Sequence, residues 1–178
     1  MIENNNVAEM KCPKCSSRHP NSILQYVCHF QPPLFLVSEI IKNNQYCVSS
    51  IDCENQLPLH IAVKNGCSSN IISYLVAQNV GATSSKDKYG RLPIHLTFET
   101  KSETTEKYKI NEIDLARDLN RAIKCLCMIS PETVITEDDD GVTALECALN
   151  KEVDIDIYYE LMSFACKARK RNIISNVV

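Results

Sequence analysis

Only four glycines occur in 178 residues, which leaves little material for a phosphate-cradling loop, where glycine lets the backbone approach an anion. The sequence also holds no paired carboxylates on one rigid element and no nucleophile beside a base. Long apolar runs are absent. The opening MIENNNVAEMK has no hydrophobic segment of the secretory kind, and no later stretch approaches the ~20 apolar residues of a membrane helix. Neither sign of charge dominates: 19 Lys and Arg stand against 22 Asp and Glu, a net charge of -3. Coating nucleic acid or an anionic membrane is therefore not the expected main task. These absences together predict a non-enzymatic, unsecreted protein of the cytoplasm or nucleus, with no membrane partner and nucleic acid disfavoured.

A chain of this length can form one body that buries about 70% of its unfolded surface. Its ten cysteines suit reduced thiols better than a disulfide framework in an unsecreted protein. Apart from Cys12 and Cys15 they lie scattered in apolar helical patterns, where a free cysteine acts as a small hydrophobe.

The sequence repeats itself. QLPLHIAVKNG at 56–66 is followed by RLPIHLTFET at 91–100, with His60 and His95 in register 35 residues apart. The same offset aligns Leu24, Leu59 and Ile94, then Asp52 with Asp87 and Asn55 with Gly90. One insertion near 100–116 brings Asp138, Gly141, Leu145 and Ala148 onto the grid. The second half of each unit tests that grid. Leu36, Val37, Ile40 and Ile41 map onto Ile71, Ile72, Leu75 and Val76, next onto Ala122, Ile123, Leu126 and Cys127, and last onto Ile157, Tyr158, Leu161 and Met162. Apolar residues at i, i+1, i+4 and i+5 make one helical stripe that a neighbour must cover.

Local signals complete the unit. Pro58 and Pro93 suit a first helical turn, where a backbone N–H has no intrahelical partner. The short helix ends near Gly66, Ser69 is placed to cap the second helix, and that helix runs to about Gln78. A polar stretch such as SSKDKYG then forms a protruding turn, with Gly90 suited to positive φ. The expected architecture is all-α: about four helix-turn-helix units at 22–54, 55–89, 90–140 and 141–168, after a leader at 1–20 and before a tail at 169–178.

With its LPLH at 57–60, LPIH at 92–95 and TALE at 143–146, the chain resembles the ankyrin-repeat family, whose unit of about 33 residues opens its first helix with TPLH. The likeness spans about residues 20–166. It implies a solenoid over 21–168 whose turn tips and first-helix concave face bind another protein as a scaffold or adaptor. It also implies that His60 and His95 are structural, tying one unit to the next by hydrogen bonds to backbone near the turns. A Zn²⁺ site would need further ligands at ~2.0–2.3 Å, whereas equivalent side chains of stacked units stand about 10 Å apart. The implied partner contacts are Asp52, Glu54, Asp87, Lys88, Tyr89, Glu137, Asp138, Asp139 and Asp140 on the tips, with Lys64 and Glu99 on the first helices.

Three features fall outside the repeat. MKCPKCSSRHP sets Cys12, Cys15 and His19 at the spacing of half a zinc knuckle, with Cys28 and His29 the nearest candidates for a fourth ligand. A loosely packed leader is the first reading and a Zn²⁺ site the second, while a redox motif would need a strand before it and a helix after it, and neither is written here. A zinc-containing accessory or regulatory protein is the alternative to the adaptor. The insertion is charged and then periodic through Ile113, Ala116, Leu119 and Ile123, which lengthens the third unit's second helix behind a loop. The basic cluster Lys167, Arg169, Lys170 and Arg171 suits a helix C-terminus or a nuclear or nucleic-acid signal.

Overall fold

The computed structural model describes the backbone of residues 22–99, 112–151 and 153–175, and the side chains of 23–99, 116–151 and 153–171. Its helices are α1 (Ser22–Cys28), α2 (Leu34–Asn43), α3 (Pro58–Lys64), α4 (Ser69–Gln78), α5 (Pro93–Leu96), α6 (Glu112–Ile129), α7 (Ala144–Asn150) and α8 (Ile155–Ser175). The chain is all-α, and among the described residues the β contacts reduce to one isolated antiparallel bridge between Glu137 and Thr143. Helices α2, α4 and α6 are each followed by a 3-10 turn, at Gln45–Ser49, Val80–Ser84 and Pro131–Ile135.

Helix ends follow local chemistry. Pro58 and Pro93 open α3 and α5, where the missing N–H costs no hydrogen bond. Gly66 ends α3 at φ 64°, and the Cys67 N–H then reaches back to Ala62 O at 2.9 Å. Ser69 does not cap α4. It is the first helical residue, Ser68 is the N-cap without a side-chain cap bond, and the Ser69 hydroxyl donates instead to Asp118 Oδ1 of α6 at 2.8 Å.

Helices pack as pairs, α1 with α2, α3 with α4 and α7 with α8, while the short α5 and the long α6 take the corresponding places in chain order. The first helices α1, α3, α5 and α7 pack each on the next, and so do the second helices α2, α4, α6 and α8. One core runs between the layers, and the apolar stripe supplies much of it: Val37, Ile41, Ile71, Ile72, Leu75, Val76, Ala122, Ile123, Leu126, Cys127, Ile157 and Leu161 are buried. Each large member contributes about 1.5–3 kcal/mol of transfer free energy. The stripe's incompletely buried positions are Leu36, Ile40, Tyr158 and Met162, all in the first or last pair.

The third pair departs from its neighbours in α6, which begins at Glu112 and gains about two turns over α4. Residues 100–111, the loop part of the expected insertion, lie outside the described residues. The expected tail is corrected. Helix α8 continues through Ser175, because Phe164, Ala165 and Ala168 are buried where α8 packs on the Pro131–Ile135 turn. Lys167, Arg169, Lys170 and Arg171 are thus exposed residues of a helix, and the Lys167 ammonium sits 4.9 Å from the centre of the Phe164 ring. The cysteines are buried less uniformly than expected: Cys28, Cys47, Cys67 and Cys127 are buried, Cys53, Cys125 and Cys147 partly so, and Cys166 is exposed. Burial pushes the Cys127 thiol up to about 12, which keeps it protonated and unreactive.

Candidate protein-binding surface

Where the chain leaves each 3-10 turn for the next first helix, it makes a tight turn, and the three turns share one geometry. Asp52 Oδ1 accepts from the N–H groups of Glu54 and Gln56, both at 2.8 Å. Asp87 Oδ1 accepts from Tyr89 at 2.9 Å and Arg91 at 3.0 Å, and Asp138 Oδ1 from Asp140 at 3.0 Å and Val142 at 2.9 Å. Such Asx turns let aspartate replace a strand ladder as the local organiser. Each aspartate N–H also bonds the carbonyl four residues on, Gln56, Arg91 or Val142. The chain reverses through φ 59° at Asn55, 72° at Gly90 and 77° at Gly141, values open to glycine and tolerated by asparagine.

Neighbouring turns bond each other. The Lys88 N–H donates to Glu54 O at 2.8 Å, and the Asp139 N–H to Tyr89 O at 3.2 Å. Lys86 adds its ammonium to Glu137 O at 2.9 Å, and the Asn55 amide reaches Lys86 O at 3.3 Å. The tips are therefore one hydrogen-bonded row, not three independent loops.

Buried side chains of the first helices hold this row from below. His60 Nδ1 accepts from the Leu57 N–H at 3.1 Å, and Nε2 lies 3.0 Å from Ser85 O. His95 Nδ1 accepts from the Leu92 N–H at 3.1 Å, and Nε2 lies 3.1 Å from Thr136 O and 3.2 Å from Val142 O. With Nδ1 accepting and Nε2 facing carbonyls, the consistent state is a neutral imidazole that carries its proton on Nε2. Burial is the main cause that holds both imidazoles below their ordinary pKa, against the opposing pull of Asp87 on His60 and of Asp138 on His95. In the first pair Gln25 takes this place, its amide donating to Ser50 O at 3.0 Å and Gln56 O at 2.9 Å. In the last pair Glu146 accepts from the Thr143 N–H at 2.8 Å while the Thr143 hydroxyl oxygen accepts from the Glu146 N–H at 3.3 Å, a complete capping box. The sequence reading overlooked Gln25, although it stands 35 residues before His60.

Arg91 was overlooked as well. Its guanidinium donates to Asp87 Oδ2 through Nε at 3.1 Å and Nη2 at 2.8 Å, and to Glu99 Oε1 through Nη1 at 2.8 Å. It also lies 4.7 Å from the centre of the Tyr89 ring. Gln56 completes the cluster with a bond to Asp87 Oδ2 at 3.1 Å. The detectable signal was an acid and a base four residues apart across a turn glycine. Burial alone would raise the Asp87 carboxyl, but the bonds from Arg91, Gln56 and the Tyr89 and Arg91 N–H groups outweigh it and hold the carboxyl below its ordinary value.

Asp87 is consequently corrected as a partner contact. It is 5% exposed, and its carboxylate is occupied inside the protein. Asp52 and Asp138 are half-buried in the same role, Glu54 is half-buried without that role, and Lys88, Tyr89, Glu137, Asp139 and Asp140 are exposed. On the first-helix side, Lys64 Nζ faces Glu99 Oε2 at 3.8 Å, which links neighbouring pairs beside Arg91. Cys12, Cys15 and His19 lie outside the described residues. Among those described, Cys28 is fully buried, His29 Nδ1 lies 3.3 Å from the Asn65 amide, and no group of three or more His, Cys, Asp or Glu could hold a metal ion.

The row makes a testable distinction between two glycines. A Cβ at Gly90 would stand 2.6 Å from Asp139 Cγ and 2.7 Å from Asp139 N, whereas one at Gly141 would meet nothing within 4 Å. Alanine at either site is expected to lose about 1 kcal/mol through its positive φ. Gly90→Ala should lose about 1 kcal/mol more, because Asp139 must move off Tyr89. Equal destabilisation in urea would mean that the two turns are not coupled.

No protein-family model matches this chain, and no curated protein matches it in sequence. Among the described residues, no helix is long and apolar enough to cross a membrane.

Proposed function

We propose that the chain is a non-enzymatic protein-interaction module of the ankyrin-repeat type, an adaptor that holds a partner protein on its row of turn tips and the adjoining first-helix face. The observation that carries this reading is the division of labour within the row. Asp52, Asp87, Asp138, His60 and His95 hold the backbone from inside, which leaves Lys88, Tyr89, Asp139 and Asp140 projecting from a pre-ordered support. Binding to ordered backbone loses less conformational entropy than binding to a loose loop.

The projecting chemistry suits a polar protein surface. Tyr89, 45% exposed, offers an amphipathic ring of the type enriched at binding hot spots, with the Lys88 ammonium 5.8 Å from its centre. Glu137, Asp139 and Asp140 make an acidic end that attracts a basic patch and makes association salt-dependent. A photo-crosslinking residue in place of Tyr89, with exposed Ser73 of α4 as the control site, tests the surface in extract of cells that express the protein. The expected result is a discrete protein adduct from position 89 and none from 73, weakened by Asp139→Asn with Asp140→Asn. Those two substitutions spare Asp138, so the turn persists. Adducts from position 73 alone would overturn the assignment.

A further inference from the structure

Apolar positions that face a neighbouring pair are buried wherever that neighbour exists. Leu149 corresponds to Cys28, Val63 and Phe98, which are 0%, 2% and 4% exposed, yet Leu149 is 55% exposed. Met162 is 38% exposed where Ile41, Val76 and Cys127 are 3%, 3% and 0%. Tyr158 is half-buried where Val37, Ile72 and Ile123 are buried. The following pair borders this face inside the molecule: Val63 and Ile72 share a cleft with Asp118, Leu119 and Ala122 of α6, and the Met162 position lies one helical turn beyond the Ile72 position on the same side of its helix. Helix α7 with α8 has this face uncovered by any described element.

The opposite end shows the converse. Leu36 is 37% exposed where Ile71, Ala122 and Ile157 are 1%, 3% and 4%. Val27 is half-buried where Ala62, Thr97 and Ala148 are buried. Thr97 and Ala122 lie in the same cleft as Val63 of the preceding pair, so these positions look backward. One end of the molecule therefore presents a forward face and the other a backward face, and each is of the kind that the other meets internally.

We propose that the last helix pair of one copy packs on the first helix pair of a second copy, Leu149, Tyr158 and Met162 against Val27 and Leu36, so that the pair-on-pair packing continues from molecule to molecule. A second copy is the fitting occupant because the element that meets these positions within the chain is a helix pair of the chain itself, and the first pair carries the mating side, Val27 and Leu36, uncovered by any described element. Capping units of repeat proteins ordinarily turn a polar face to water, and Leu149 and Met162 do not. The contact is heterologous, so it extends into short open chains instead of closing as a symmetric dimer. It uses none of the turn-tip residues and, of the first helices, only Leu149 and Val27 at the two ends, so its outcome is separate from that of partner capture at Tyr89.

Sedimentation velocity of the full chain over a micromolar to millimolar range tests this. The average mass should rise with concentration. Leu149→Glu with Met162→Glu removes the forward face and Leu36→Glu the backward one, so each variant alone should stay monomeric. An equimolar mixture of the two should give a one-to-one complex and nothing larger, since each supplies the face that the other has lost. Circular dichroism melting checks that both variants fold, as exposed positions should allow. A wild-type chain monomeric at every concentration would overturn the proposal, as would a dimer that persists in Leu36→Glu, which would mean that two forward faces meet each other.

Discussion

Leu75→Ala is expected to lower the unfolding free energy by about 2–5 kcal/mol, the range for a buried leucine that leaves a partly collapsed cavity. Leu75 is 2% exposed on α4, which packs against α2 on one side and α6 on the other. Truncation there weakens contacts in both directions along the array of pairs. Since domains of this size are stable by only about 5–15 kcal/mol, the urea midpoint should fall far enough to be unmistakable. Met162→Ala, in dilute solution, provides the contrast: Met162 occupies the same stripe but is 38% exposed, and its truncation should lose under about 1 kcal/mol. A Leu75→Ala loss below about 0.5 kcal/mol would mean that α4 does not lie at the centre of a shared core.

The sequence made the all-α composition legible because the apolar stripe repeats with helical spacing and every unit needs a neighbour to cover it. Its exceptions are informative, since Leu36 and Met162 satisfy the pattern but are 37% and 38% exposed, and periodicity alone does not separate a covered stripe from an uncovered one. The turns were legible as turns but not in their internal chemistry. An aspartate at a tip reads as solvated charge, yet Asp87 is enclosed, because its carboxylate serves two backbone N–H groups, Gln56 and Arg91 at once. Those partners come from two segments of the chain, the turn itself and Gln56 of the turn before it, and no local pattern announces the arrival of Gln56. Gln25 illustrates the opposite case. Its role follows from the offset alone, but attention to the LPLH signature hid it, because glutamine does not look like histidine although its amide can reach the same two carbonyls. Ser69 was misread for a simpler reason: a hydroxyl near a helix start usually caps it, and only α6, lengthened at its start, brings Asp118 close enough to take the bond.

Lowering the pH from about 7 to 5 should destabilise the protein through His60 and His95, and the sign follows from the geometry. Both imidazoles have ordinary values near 6.5 and are held lower in the folded state, chiefly by burial. Below pH 6.5 the unfolded chain therefore binds protons that the folded one resists, and stability present above that pH is lost as the pH falls toward the folded values. Each histidine can contribute a slope of at most about 1.4 kcal/mol per pH unit. Protonation places a hydrogen on Nδ1, the atom that accepts from the Leu57 or Leu92 N–H, so two donors then oppose each other in the core. Asp87 titrates in another window. Its lowered carboxyl pKa gives stability that is present above 3.8 and lost only at more acid pH. Gln25 indicates the variant that separates the histidine effect, since an uncharged amide already bonds the carbonyls of Ser50 and Gln56. His60→Gln with His95→Gln should lose some stability at pH 7, where the Leu57 and Leu92 N–H groups no longer have an imidazole acceptor. It should, however, show a flatter profile between pH 7 and 5. Urea unfolding at a series of pH values reads both quantities, and a double variant whose slope equals that of the wild type would show that the titration belongs to groups other than these two histidines.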